Sequence, residues 1–131
     1  MIRPTAYLSV DDILRIHQRV TADFGGDPGL RDRGLLESAL ARPQSTFDGA
    51  DLHVGLPAKA AAYHFHLCSN HPFVDGNKRV AVVAAELFLL INDQELSATD
   101  EEIEQLTVGV ASGRLSKDDV TDFFTLHVEV R

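Results

Sequence analysis

HPFVDGNKR, residues His71 to Arg79, is the stretch that decides how this chain is read. It sets an imidazole, a carboxylate, an amide and two cations close together, and an apolar run from Val80 to Ile91 follows at once. Asp75-Gly76-Asn77 is a turn signal, because Gly accepts left-handed backbone angles and Asn and Asp bond to nearby backbone groups. Asn77 stands where a helix N-cap is expected, which predicts a helix from Lys78 to about Asn92. That helix is apolar around most of its circumference, so it is expected in the middle of the domain. Lys78 and Arg79 then lie at the positive end of its dipole, where acids are preferred. A local rule broken in this way points to a functional site. A bound polyphosphate would resolve the conflict, since free N–H groups, the dipole and both cations would face one anion.

The rest of the segment fits that chemistry. His71 supplies an imidazole, the side-chain type most often used for general-base work. Asp75 offers a hard carboxylate oxygen of the kind Mg²⁺ takes beside substrate phosphates. Phe73 is the expected apolar anchor of the loop. Pro72 is expected to hold His71 in extended backbone angles.

The segment resembles the core motif of the Fic/Doc superfamily, and specifically that of the death-on-curing (Doc) toxins. The Fic pattern reads HPFxxGNGRxxR. Here Lys78 replaces its second Gly and Val82 its final Arg, and the GNKR form is the death-on-curing one. The stretches Gly25 to Phe47 and Leu106 to Val120 are similar to that family as well, so the likeness runs over most of the chain. It implies a mostly α, compact single domain over residues 1–131. That domain is a helical bundle around a central buried helix, with a short flap or hairpin before the motif that holds a target peptide.

The resemblance also implies a function. Such proteins are toxins of toxin–antitoxin pairs that move the γ-phosphoryl group of ATP to a threonine hydroxyl of elongation factor Tu and so stop translation. His71 would take the proton from the target hydroxyl. Asp75 would hold Mg²⁺, and Gly76, Asn77, Lys78 and Arg79 would cradle the phosphates and offset charge in the transition state. The implied partner is a small antitoxin whose disordered segment folds as a helix onto the toxin. Two alternatives stay open. One is adenylyl transfer, which Lys78 and Val82 argue against because the first fills space left for phosphate and the second cannot replace an Arg contact. The other is a binding module without turnover.

Bulk properties narrow the field. At 131 residues, with 44% apolar and 24% charged residues, the chain can bury a real core. A net charge of −8 argues against sequence-independent nucleic-acid binding. The single cysteine, Cys68, suits a reducing cytoplasm and reads as a small buried hydrophobe. The stretch MIRPTAYLSV has no apolar core of a secretory signal. The run from Val80 to Ile91 is interrupted by Glu86 and too short to span a bilayer. No GxxxxGK loop, GxGxxG turn or protein-kinase HRD and DFG pair is present, so any nucleotide must use the GNKR turn.

The other elements follow from caps and periodicity. Ser9 to Asp12 resembles a capping box and opens a helix to about Asp23. Phe24 to Gly29 is loop, and Asp32 or Arg33 starts a helix that ends before Pro43. Gln44 to Gly55 is irregular and is the expected flap. Pro57 opens a helix to about Ser69. Thr99 to Glu102 caps a helix to about Val110, and Ser116 to Asp119 starts the last one. His64 and His66 point to different faces of their helix. His17, His53 and His127 read as surface residues, Asp100 to Glu104 as a solvated first turn, and Glu86 as undecided between a cationic partner and solvent.

Overall fold

The computed structural model describes residues 3–131. Met1 and Ile2, which open the stretch read above for a leader, lie outside the described residues. Among the described residues are six helices: α1 Val10–Phe24, α2 Arg33–Ala41, α3 Leu56–Asn70, α4 Asn77–Ile91, α5 Asp100–Ala111 and α6 Lys117–His127. Four short strands accompany them: β1 Thr46–Phe47, β2 Ala50–Asp51, β3 Gln94–Leu96 and β4 Val128–Val130.

Local chemistry sets the helix starts. Ser9 with Asp12, Thr99 with Glu102 and Ser116 with Asp119 each form a reciprocal capping box, which satisfies donors the first turn leaves free. Asp32 caps α2 by accepting from the Leu35 N–H, and Pro57 sits in the first turn of α3, where its missing N–H costs nothing. The apolar spacing of α1 buries Ile13, Ile16, His17 and Val20 on one face.

The core forms where α3 meets α4, with α2 and α6 packed on α3 and α1 packed on α4. Ala60, Ala61 and Ala62 on α3 and Ala81, Ala84 and Ala85 on α4 are all buried, and such small side chains allow close helix approach. Tyr63, Leu67 and Phe88 fill the remaining space with no exposure. Each such apolar burial stabilises by about 1.5–3 kcal/mol. The Tyr63 hydroxyl accepts from the Leu8 N–H at 2.9 Å, and burial pushes its pKa up to about 12. The central helix α4 is not covered all round. Val83, Leu90 and Ile91 remain partly exposed.

The expected hairpin is present. β1 and β2 pair antiparallel, Thr46 with Asp51 and Phe47 with Ala50. Asp48 and Gly49 between them both have positive φ, 53° and 81°, as a two-residue type I′ turn demands. Lys59 of α3, almost fully buried, fastens the base of this hairpin. Its Nζ lies 3.1 Å from the Asp51 carboxylate and donates to the Pro43 carbonyl at 3.3 Å. A second antiparallel pair, β3 with β4, follows α4, and Arg131 N–H beyond β4 donates to the Asp93 carbonyl at 3.0 Å. Sequence reading missed it, because each strand is three residues long and carries too few alternations to register.

Candidate active site

The site is built on the turn between α3 and α4. Helix α3 ends at Asn70, and His71 follows as its cap with φ 48° and ψ 56°. The extended conformation expected of His71 is therefore not what forms. Pro72 disfavours right-handed helix at His71, and the helix does stop there, but the turn closes through the left-handed region instead. Arg31 supports that closure. Its Nε donates to the His71 carbonyl at 2.7 Å and its Nη2 to the Asn70 carbonyl at 2.9 Å, so terminal carbonyls of α3 are paired. The His71 side chain is exposed.

The loop after His71 is moulded by the segment between α1 and α2. The backbone N–H groups of Arg31 and Asp32 donate to the Pro72 carbonyl at 2.8 and 3.0 Å, and Val74 N–H donates to the Gly29 carbonyl at 3.0 Å. Leu30 bridges to Phe73 as in an antiparallel ladder. Further along, Asp27 N–H donates to Asp75 Oδ2 at 2.7 Å. Gly26 is required beside that contact. It has φ 107°, and a Cβ there would stand 3.1 Å from the Asp75 Cβ.

Asn77 is not the N-cap. Gly76 holds that place with φ 84°, and Asn77 is the first residue of α4. Its side chain turns back instead. Oδ1 accepts from the Phe73 N–H at 3.0 Å and Nδ2 donates to the Phe73 carbonyl at 2.9 Å, both buried. The amide thus satisfies the Phe73 N–H and carbonyl, which the bridge to Leu30 leaves without a partner. Only the backbone N–H of Asn77 is left for an anion.

His17 supports the same loop from below. It was expected on the surface but is 2% exposed. Its ring stacks on Phe73 with centroids 3.8 Å apart and planes 8° apart, and Nε2 donates to the Asp75 carbonyl at 2.9 Å. A carbonyl only accepts, so Nε2 carries the proton. The signal was in the spacing, since His17 falls between Ile13, Ile16 and Val20 on one helical face. Phe73, 1% exposed, is the anchor the sequence suggested.

Helix α4 begins with no side-chain cap and no acid in its first turn. Lys78 and Arg79 are exposed there. The Arg79 guanidinium lies 3.7 Å over the Phe24 ring, a cation–π contact. Both cations line a cavity of about 570 Å³ between α1, α4 and α5, walled by Val20, Phe24, Val83 and Val108. Glu86 and Asp100 line it too, and burial together with the Asp100 charge raises the Glu86 pKa.

The remaining candidates are placed as follows. His64 is buried, and its Nε2 bonds Thr107 Oγ1 at 2.9 Å. Thr107 spends its own proton on the Ile103 carbonyl at 2.7 Å, so His64 Nε2 is the donor to Thr107. Burial lowers its pKa to about 4. His66 is lowered to about 4 by burial, then by Lys117 and Arg42. His53, also expected on the surface, is 6% exposed under the hairpin. His127 is mostly buried, with Nδ1 bonded to the Phe123 carbonyl at 2.8 Å and Nε2 3.4 Å from Glu102. Cys68 has no exposure, and burial pushes its thiol up to about 11. Among the described residues no group of three or more His, Cys, Asp or Glu could hold a metal ion. Asp75 is exposed and keeps one carboxylate oxygen free of Asp27. That suits an ion bound mainly by substrate phosphates and water.

His71 at the end of α3 is thus followed, one loop on, by an uncapped and doubly cationic start of α4. The chain belongs to the Fic/Doc family, whose model matches residues 7–89. It is 47% identical over 94 residues to "Toxin Doc" of Mycolicibacterium smegmatis, covering 72% of this chain and 70% of that one. It is 31% identical over 116 residues to "Protein kinase doc" of Escherichia phage P1, covering 88% and 90%.

Proposed function

We propose that this protein is the toxin of a toxin–antitoxin pair. It moves the γ-phosphoryl group of ATP to a serine or threonine hydroxyl of a translation factor, with a threonine of elongation factor Tu as the first candidate. The observation that carries the reading is the start of α4. It leaves its N–H groups uncapped and presents Lys78 and Arg79 one loop away from the exposed His71. The likeness to relatives named as a toxin and as a protein kinase supports the same reading.

In this mechanism His71 accepts the proton of the target hydroxyl as that oxygen attacks the γ-phosphorus. The free N–H groups at the start of α4, with Lys78 and Arg79, bind the phosphate oxygens and stabilise charge as the bond to the leaving oxygen breaks. Mg²⁺, held by the free oxygen of Asp75, would neutralise phosphate charge. The exposed β1–β2 hairpin offers backbone edges on which an extended target segment could pair.

The cognate antitoxin would place an amphipathic helix in the cavity between α1, α4 and α5. That cavity continues through Val20, Phe24 and Val83 into a second hollow of about 410 Å³ lined by Ile16 and Leu87. An occupant there would lie against Arg79 and Lys78 and cover them. Expression of the protein alone is expected to arrest bacterial growth, and His71→Ala to abolish the arrest at equal soluble level. Unimpaired growth with abundant wild-type protein would contradict the toxin reading, and arrest by the His71→Ala variant would contradict the role of His71.

A further inference from the structure

We propose that Arg31 is a positioning residue for His71. The inference rests on the reading of His71 as the base. Three observations carry it. His71 is held at φ 48° and ψ 56°, a conformation that side chains other than Gly seldom adopt. Helix α3 has no basic residue in its last turn to meet its final carbonyls. The Arg31 guanidinium, delivered from a different part of the chain, donates to two of them, at 2.7 Å to His71 and 2.9 Å to Asn70.

The fork geometry of a guanidinium is what lets one side chain bridge two successive carbonyls. Its backbone is fixed in turn. Arg31 N–H donates to the Pro72 carbonyl at 2.8 Å, and the next residue, Asp32, caps α2. Asn70 is gripped from the other side as well, because its Nδ2 donates to the Leu35 carbonyl at 3.0 Å. The grip therefore clamps the peptide units on both sides of the His71 Cα, through the Asn70 carbonyl before it and the His71 carbonyl after it, and holds the next peptide at the Pro72 carbonyl. With both peptides fixed, the direction of the His71 Cα–Cβ bond is fixed, and with it the point from which the imidazole reaches. Arg31 touches neither the phosphate-binding N–H groups nor Lys78 and Arg79, so its effect is separable from nucleotide binding.

The test compares wild type with Arg31→Ala and Arg31→Lys in steady-state transfer from ATP. It adds NMR of the His71 backbone, whose carbon shifts and N–H coupling report left-handed φ. Arg31→Ala is expected to lower kcat by about 100-fold, the usual consequence of a base displaced by an ångström, with KM for ATP changed less than about twofold. The His71 signals should leave the left-handed range. Arg31→Lys, which keeps a cationic donor without the fork, should recover part of kcat. If Arg31→Ala is melted at assay temperature, Arg31→Lys carries the comparison, and a kcat equal to that of wild type with unchanged His71 signals would overturn the proposal. Full kcat in folded Arg31→Ala, or unchanged His71 signals, would overturn the proposal. If wild type transfers no phosphate, the reaction assigned above fails. The NMR arm then still decides whether Arg31 sets the His71 conformation.

Discussion

Removing the Asn77 amide should cost far more stability than removing the cations beside it. Asn77→Ala deletes two buried hydrogen bonds, to the N–H and to the carbonyl of Phe73. Each lost bond leaves a buried backbone group unsatisfied, at about 1–3 kcal/mol. Water reaching the truncated site offsets part of this, so a net loss of about 2–4 kcal/mol is expected. Asn77→Asp should be no better, because a carboxylate can accept from the Phe73 N–H but sets a second oxygen against the Phe73 carbonyl. Lys78→Ala and Arg79→Ala, both exposed, should stay within about 0.5 kcal/mol of wild type. The assay is urea unfolding followed by far-ultraviolet circular dichroism, with midpoint and slope fitted separately. A lower midpoint at unchanged slope is the expected result for Asn77→Ala. An Asn77→Ala midpoint equal to that of Lys78→Ala would refute the view that this amide holds the loop together.

Two further outcomes follow from buried histidines. His17→Phe keeps the stack on Phe73 but loses the donor to Asp75 and should cost about 1 kcal/mol, whereas His17→Ala also opens a cavity and should cost about 3 kcal/mol; equal losses in thermal unfolding would contradict this. His64 is depressed from 6.5 to about 4 in the fold, so the unfolded chain binds its proton first as pH falls. The stability tied to its neutral form is complete above pH 6.5, fades as pH falls toward 4, and amounts to about 3 kcal/mol. His66 acts in the same direction. His64→Leu should flatten the acid limb of a plot of unfolding free energy against pH, and an unchanged limb would contradict the assignment.

Much of this fold was legible because helix starts are written in short-range chemistry. Ser9, Thr99 and Ser116 with their acids three residues on, Asp32, Pro57 and the Asp75-Gly76-Asn77 turn placed each helix start to within a residue or two. The site was legible only as a list of residue types. What Asn77 does depends on which backbone group lies within reach of its amide, and both cap and back-bond fit the same letters. Phe24 to Gly29 was read only as loop, Asp32 only as a possible helix start, and Leu30 and Arg31 carried no reading. The work of residues 26–32 on Pro72, Val74 and Asp75 is done by backbone groups across a separation of forty residues or more, which no local pattern encodes. His17 and His53 were placed outside because a histidine alone carries no burial signal. For His17 the period of its apolar neighbours did, and reading that period around the polar residue would have found it.

The most direct test incubates the protein with Mg²⁺, elongation factor Tu and ATP labelled at either the γ or the α phosphate, beside His71→Ala. Only the γ label is expected to reach the factor, and the variant is expected to transfer none. Transfer of the α label would make this an adenylyltransferase despite Lys78 and Val82. Movement of neither label, to this factor or to any protein of a bacterial lysate, would contradict the catalytic reading itself.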